Sequence, residues 1–201
     1  MIQCVIFDLS EVLIAGLLGV ERDLSGRIGV PEDEILPCFD GHQFEQLLLG
    51  NISEDVYLKH VITRGQWSIS RAALKSAIRR NFHHEIPGTL DIVMDLASNY
   101  QLALLSDHAR EWISYICSIH SFVSVFDHAL FSFDLGGIKS ERATFVRALD
   151  AIALPAADCL FVDDNAANVA VAESVGLAGI HFTSAVQLAR VLAARGVKGS
   201  F

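Results

Sequence analysis

The chain has 201 residues, 52% hydrophobic and 19% charged. That is enough apolar material for one packed domain, or one domain with a small insert, and it excludes a disordered polypeptide. Fifteen Lys and Arg against 24 Asp and Glu leave a net charge of −9, which repels phosphate backbones and anionic leaflets, so neither nucleic acid nor a membrane is expected as a partner.

The first apolar run, residues 4–7, is too short for a helix and reads as a strand buried on both faces. From about residue 16 to 87 no strand-like run occurs. Helical patterns fill 19–28, 31–39, 44–49, 53–62 and 70–81. Acidic residues crowd first turns at Glu32 and Asp33 and at Glu54 and Asp55, where the helix dipole favours them. A helical block of about 70 residues is too long for an ordinary crossover. It predicts an inserted helical subdomain, 16–87, on a core made of 1–15 and 88–201.

Beyond the insert, Leu90, Val93, Met94 and Ala97 follow the i, i+3, i+4, i+7 spacing of a buried helix face. Strand-like runs return at 102–105, 129–131 and 160–162, with a weaker one at 179–182. Ser140 is placed to cap a helix carrying Phe145, Leu149 and Ile152, and Gly176 and Gly196 sit where helix-ending glycines are expected. Strand alternating with helix predicts an α/β fold with a parallel sheet and right-handed crossovers.

Mean hydropathy is high, at +0.40, yet the longest uncharged windows, 112–126 and 174–189, contain Ser and His. Both fall short of the ~20 apolar residues a bilayer requires. No basic segment precedes a hydrophobic stretch at the start, and Asp8 and Glu11 lie where a signal peptide is apolar. Cys4, Cys38, Cys117 and Cys159 form no C-x-x-C pair and read as thiols of a reducing compartment. The expectation is a cytoplasmic globular protein.

In parallel α/β sheets ligands bind at the carboxyl ends of strands. Asp8, Leu9 and Ser10 follow the first run, and Ser106 and Asp107 the second. Lys139 follows the third after a short loop, and Asp163 and Asp164 follow the fourth. Carboxylates gathered on one rim repel one another unless a cation lies between them, and hard oxygen ligands suit Mg²⁺. A carboxylate beside Mg²⁺, with a hydroxyl and a lysine to hold phosphate oxygens, is a set for phosphoryl transfer through an aspartyl phosphate.

The stretches F-D-L-S-E-V-L, L-L-S-D, the lysine of G-G-I-K-S and F-V-D-D-N-A-A-N resemble the four motifs of the haloacid dehalogenase-like superfamily. They come in the same order and span nearly the whole chain. The insert after the first motif resembles that superfamily's C1-type cap. The chain is also similar to small sugar-phosphate phosphatases whose first motif reads D-L-G-x-V, and to the phosphatase domain of soluble epoxide hydrolases. The resemblance implies a Rossmann-like three-layer core with an all-helical cap. It implies that Asp8 is the nucleophile and a metal ligand, and that Ser10 lends its main-chain carbonyl to Mg²⁺. Ser106 would hold the transferring phosphate, with Asp107 beside it in the substrate site, and Lys139 would neutralise both Asp8 and the phosphoryl group. Asp164 would bind the metal, with Asp163 binding through water or orienting Lys139. Asn168 would support that loop.

Three positions depart from the pattern. Phosphatases of this superfamily usually carry a second aspartate where Ser10 stands, to protonate the leaving oxygen and later activate water. Serine does not ionise near neutral pH, and such acid–base help is worth ~10²–10⁴ in rate. A slow phosphatase, a substrate with a good leaving group, or no turnover is therefore expected. Relatives with glycine at this position imply that the lost carboxylate does not by itself exclude activity. Asp107 stands where asparagine is commoner, which is unfavourable near phosphate unless the carboxyl is protonated or turned away. Ser140 replaces a usual proline. Glu11 and His108 adjoin the motifs and are the candidate substitutes for the missing acid, histidine titrating in the useful range. The His83–His84 pair lacks ligand spacing and reads as structural.

The expected function is thus a Mg²⁺-dependent phosphatase acting on a small phosphorylated metabolite, a sugar phosphate first. The alternatives are a weak or inactive member that binds a phosphorylated ligand or a protein partner, and a metal-independent dehalogenase. The Asp163–Asp164 pair argues against the last. Substrate identity and oligomeric state are not legible from the sequence.

Overall fold

The computed structural model describes residues 1–200; Phe201, the end of the expected core segment, lies outside the described residues. Five parallel strands, β1 (Cys4–Phe7), β2 (Gln101–Ser106), β3 (His128–Phe131), β4 (Cys159–Asp163) and β5 (Ala178–His181), form one sheet in the order β3-β2-β1-β4-β5. The first strand is central: Cys4 to Phe7 pair with Gln101 to Leu104 on one side and Cys159 to Val162 on the other.

Alternate residues of each strand enter different cores, as the period of two requires. Val5, Phe7, Leu102, Leu104, Leu160 and Val162 pack on one face with side chains of α6 (Thr89–Leu96), α7 (Arg110–Ile119) and α11 (Ala185–Ala194). Cys4, Ile6, Ala103, Leu105 and Phe161 pack on the other with α9 (Arg142–Ile152) and α10 (Ala166–Ser174). With both faces covered, the central strands need no polar side, and so read as continuous apolar runs.

Between β1 and α6 lie α1 (Val20–Ile28), α2 (Glu32–Ile35), α3 (His42–Leu48), α4 (Glu54–Gly65) and α5 (Arg71–Asn81); α8 (Ser132–Leu135) follows β3. Ser53 and Ser70 cap α4 and α5, accepting from the amides of Val56 and Ala73. Gly176, at φ 100°, closes α10 with amide bonds to Glu173 O and, through Leu177, to Ala172 O.

Several local expectations need correction. The helix expected over 31–39 breaks after Ile35 into a 3₁₀ turn, Leu36–Cys38. Pro37 lacks the N–H and clashes with the preceding turn. Helix α6 buries Thr89, Ile92, Val93 and Leu96, whereas Met94 is exposed. Its inward face is therefore rotated by about one residue from the expected stripe. Ser140 does not cap α9: the N-cap is Glu141, and no side chain caps that helix.

The helical insert is joined to the core by aromatic packing and by the Trp112 indole N–H, which reaches a buried carboxylate of the insert. Phe44, Tyr57 and Phe82 surround Trp112 of α7, with ring centroids 6.4, 6.2 and 5.7 Å away. Glu54, only 1% exposed, accepts from the Trp112 indole N–H at 2.9 Å and pairs with Lys75 at 2.5 Å and Arg79 at 3.4 Å. Trp112→Phe leaves that carboxylate one donor short and is expected to cost about 1–3 kcal/mol in urea unfolding. A change under a few tenths would show that the contact holds nothing. No helix among the described residues is long and apolar enough to cross a membrane.

Candidate functional site

The carboxyl ends of β1, β2 and β4 lie together where the order of strands reverses, β2 and β3 being added on one side of β1 and β4 and β5 on the other, the crevice such folds use for ligands. Asp8 is the first residue past β1. Its amide donates to Val162 O at 2.9 Å, extending the β1–β4 ladder and fixing where its carboxylate stands. Its Oδ1 accepts from the Leu9 amide at 2.7 Å.

Lys139 lies 3% exposed with its Nζ 2.7 Å from Asp8 Oδ2 and 2.7 Å from Asp163 Oδ2. Asp163 ends β4. Its Oδ1 also accepts from the Asn165 amide at 2.7 Å, and Asn168 Nδ2 reaches both its oxygens at 3.2 Å. Asp107 turns both carboxylate oxygens onto the Lys139 main-chain amide, at 3.1 and 2.9 Å. Its charge therefore holds the lysine loop rather than facing a ligand. Ser106, the last residue of β2, is buried, and its Oγ has no hydrogen-bond partner among the described residues.

Asp8, Asp163 and Asp164 each present a carboxylate oxygen, and the three oxygens lie within 4.8 Å of one another. His181 Nε2 fixes the Asp164 main chain, 2.9 Å from its carbonyl oxygen. Asp8 and Asp163 thus share one ammonium, whose charge also acts on Asp107 and Asp164. Burial pushes the Asp8 carboxyl up to about 7; Lys139 opposes the shift and Asp163 adds to it. Burial likewise raises Asp107 and Asp164. For Lys139 burial works downward, but Asp8, Asp163 and Asp107 outweigh it and hold the ammonium charged. The site is short of positive charge, and its donors are hard oxygens, so the residues present fit a bound Mg²⁺.

The loop after Asp8 is tightly folded. Glu11 sits at φ 60°, its amide donating to Ile14 O at 2.7 Å, and its Oε1 accepts from the Gly16 amide at 2.7 Å. That carboxylate closes a turn. A Cβ at position 16 would lie 2.8 Å from Ser10 Cβ and 2.9 Å from Ser10 Oγ, so glycine is needed there for space. No motif marks Gly16 in the sequence.

His108 is buried, with its Nε2 3.4 Å from Ser10 Oγ. Burial, helped by Lys139, lowers its pKa to about 3. The expectation that it titrates in the useful range is thereby corrected: nothing in its surroundings stabilises an imidazolium. Sequence reasoning also missed Ser132, whose Oγ accepts from the His108 amide at 3.1 Å and donates to Leu48 O of α3 at 2.6 Å. It ties the loop after β2 to the insert.

A family model described as haloacid dehalogenase-like hydrolase matches residues 2–176. No curated protein matches the chain. Among solved structures, the chain is similar to a HAD family enzyme of Bacteroides thetaiotaomicron in complex with magnesium and inorganic phosphate. The TM-score is 0.76 and the identity 19%, over 92% of this chain and 96% of that one. A predicted HAD-like family hydrolase from Porphyromonas gingivalis gives 0.75 and 23%, over 96% and 98%. An L-2-haloacid dehalogenase from Xanthobacter autotrophicus, with chloropropionic acid covalently bound, gives 0.70 and 17%, over 98% and 85%. At these identities the likeness is one of fold.

Proposed function

The chain belongs to the haloacid dehalogenase-like hydrolases, and from that premise we propose that it is a Mg²⁺-dependent phosphatase of small phosphate monoesters, acting through an aspartyl phosphate on Asp8. The observation that carries this reading is the surplus of carboxylate: Lys139 bridges Asp8 and Asp163 at 2.7 Å each, with an oxygen of Asp164 inside the same 4.8 Å cluster. A metal-independent dehalogenase has no use for so much negative charge around its nucleophile.

The geometry supports the following roles. Asp8, held by the Leu9 amide and Lys139, is oriented to attack phosphorus. The unpartnered Ser106 hydroxyl is free to hold a phosphate oxygen. Lys139 offsets the charge that develops on the phosphoryl group, and Asp163 and Asn168 keep it in place. Mg²⁺, bound by Asp8, Asp164 and the Ser10 carbonyl, would neutralise phosphate oxygens and orient the ester for in-line attack. The insert, 16–87, would act as the cap that excludes water and selects the leaving group. A sugar phosphate is the first substrate to try, and nucleic acid is not one. The four free thiols fit a cytoplasmic setting.

A metabolite-wide phosphatase screen with and without Mg²⁺ tests the proposal. Release of phosphate that stops with chelator supports it. Chelator-insensitive halide release from a 2-haloacid would replace it with the dehalogenase reading, and inertness with retained phosphate binding would leave a binding protein.

Ser10→Asp restores an ionisable group beside the nucleophile and is expected to raise turnover of poor leaving groups by about 10²-fold; unchanged steady-state rates would mean the serine does not limit the reaction. Binding of Mg²⁺ requires the Asp8 carboxylate. With its metal-free pKa at about 7, apparent Mg²⁺ affinity should climb as pH rises through 7 and level off above it. In chelator the sign for stability is opposite. A carboxyl raised from 3.8 contributes stability that is present below 3.8 and lost as pH rises through about 7. Calorimetry across this window checks both.

A further inference from the structure

The proposed chemistry needs something at the leaving oxygen, and position 10 holds a serine. His108 Nε2, at 3.4 Å, is the hydrogen-bond partner that the Ser10 hydroxyl finds among the described residues, although 98 positions separate the two in sequence. The imidazole stands edge-on to Phe82, 5.7 Å away at 61°, and to Trp112, 5.6 Å away at 83°. Its Nδ1 is buried and has no partner among the described residues. A buried N–H without an acceptor is costlier than an unused lone pair, so the ring proton belongs on Nε2 rather than Nδ1. Nε2–H then donates to Ser10 Oγ, and the serine's own proton is left to donate elsewhere. Ser10 is only half-buried, unlike the ring behind it.

We propose that His108 and Ser10 form a neutral donor relay on the leaving-group side of the site, selecting phosphates whose leaving oxygen departs as a weak base. The imidazole N–H orients Ser10 Oγ, and the Ser10 O–H donates to the oxygen that leaves. The bond from Asp8 Oδ to phosphorus forms as the bond from phosphorus to the leaving oxygen breaks. The electron pair departs with that oxygen, which stays hydrogen-bonded to Ser10 and takes its proton from water afterwards. Such a relay stabilises charge without delivering a proton. The substrate class is therefore glycosyl, aryl or enol phosphates rather than phosphates of simple alcohols. Ser10 touches the substrate, and His108 is a positioning residue. The inference rests on the phosphatase reading above.

The test is a series of aryl phosphates of graded leaving-group acidity, extended to an alkyl phosphate, on wild type, Ser10→Ala, His108→Phe, His108→Gln and the Ser10→Ala/His108→Phe double variant. Phenylalanine fills the ring's volume without the orphaned nitrogen, so the fold is retained. The loss in His108→Phe should grow as the leaving group becomes more basic, reaching about tenfold, the rate equivalent of one neutral hydrogen bond. His108→Gln, which keeps a donor, should recover most of it. The double variant should be no slower than Ser10→Ala. A loss uniform along the series, or additive losses in the double variant, would overturn the relay. A second readout needs no turnover: nitrogen NMR of the metal-free protein should place the His108 proton on Nε2, with that signal moving in Ser10→Ala. A proton on Nδ1 overturns the relay alone, whereas a wild type inert toward every ester counts against the phosphatase reading itself.

Discussion

Asp8→Asn is expected to lower turnover of an activated aryl phosphate by roughly 10⁴- to 10⁶-fold, the scale on which removal of a nucleophile acts. The asparagine amide is isosteric with the carboxyl and can still accept from the Leu9 amide, so the β1 end keeps its shape. Nucleophilicity is lost, and so is one ligand of the expected metal. The same variant makes a second prediction of opposite sign. In chelator the wild type holds the carboxylates of Asp8 and Asp163 against one ammonium, with burial opposing the charge on Asp8. Replacing Asp8 removes that repulsion, so Asp8→Asn should be at least as heat-stable as wild type without metal, and should lose the stabilisation that Mg²⁺ confers. At 100-fold excess over its dissociation constant that stabilisation is about 2.7 kcal/mol. A variant that is both active and Mg²⁺-stabilised would remove Asp8 from the centre of the mechanism.

Lys139→Met is expected to cost about 3–5 kcal/mol as well as activity, because it strands two buried carboxylates in place of a satisfied cluster. The methionine chain fills the space of the lysine stem, so the loss reports charge more than volume. Urea unfolding in chelator measures it. The loss should shrink as pH falls and Asp8 becomes protonated, and Asp8→Asn/Lys139→Met should recover part of it, since one stranded charge is gone. A loss under about 1 kcal/mol at neutral pH would mean the ammonium and carboxylates are not packed as described. Either outcome bears on the proposed catalysis, because the same 2.7 Å contacts place the cation beside Asp8, the proposed nucleophile.

Much of this architecture is legible in one dimension. Residues 4–7 and 160–162 announce buried parallel strands because each face of the sheet is covered, and the acids that follow them lie at the rim because a strand's exit is fixed by its last paired residue. Ser53 and Ser70 mark their helices because a capping oxygen needs only its own amide neighbours. Helix α6 was legible in existence but misplaced in phase, since a short apolar stripe tolerates a rotation that packing does not. Helix α7 does carry a helical stripe, Trp112, Ile113, Ile116 and Ile119 at i, i+1, i+4 and i+7, but it lies in a window whose lack of charge hides its start.

What order along the chain settles is the identity and sequence of the groups that reach the rim: Asp8, Ser106, Lys139, Asp163 and Asp164. It is silent on what each of them touches. That Asp107 grips the Lys139 amide, that Glu11 closes a turn on Gly16, that His108 leans on Ser10 and that Glu54 is locked under Trp112 all depend on side chains up to 98 positions apart. Periodicity reports the geometry of one segment at a time. The protonation and pairing of a buried polar group depend on the low-dielectric surroundings that assembly creates, and those exist only once the loops and the insert have closed over the sheet.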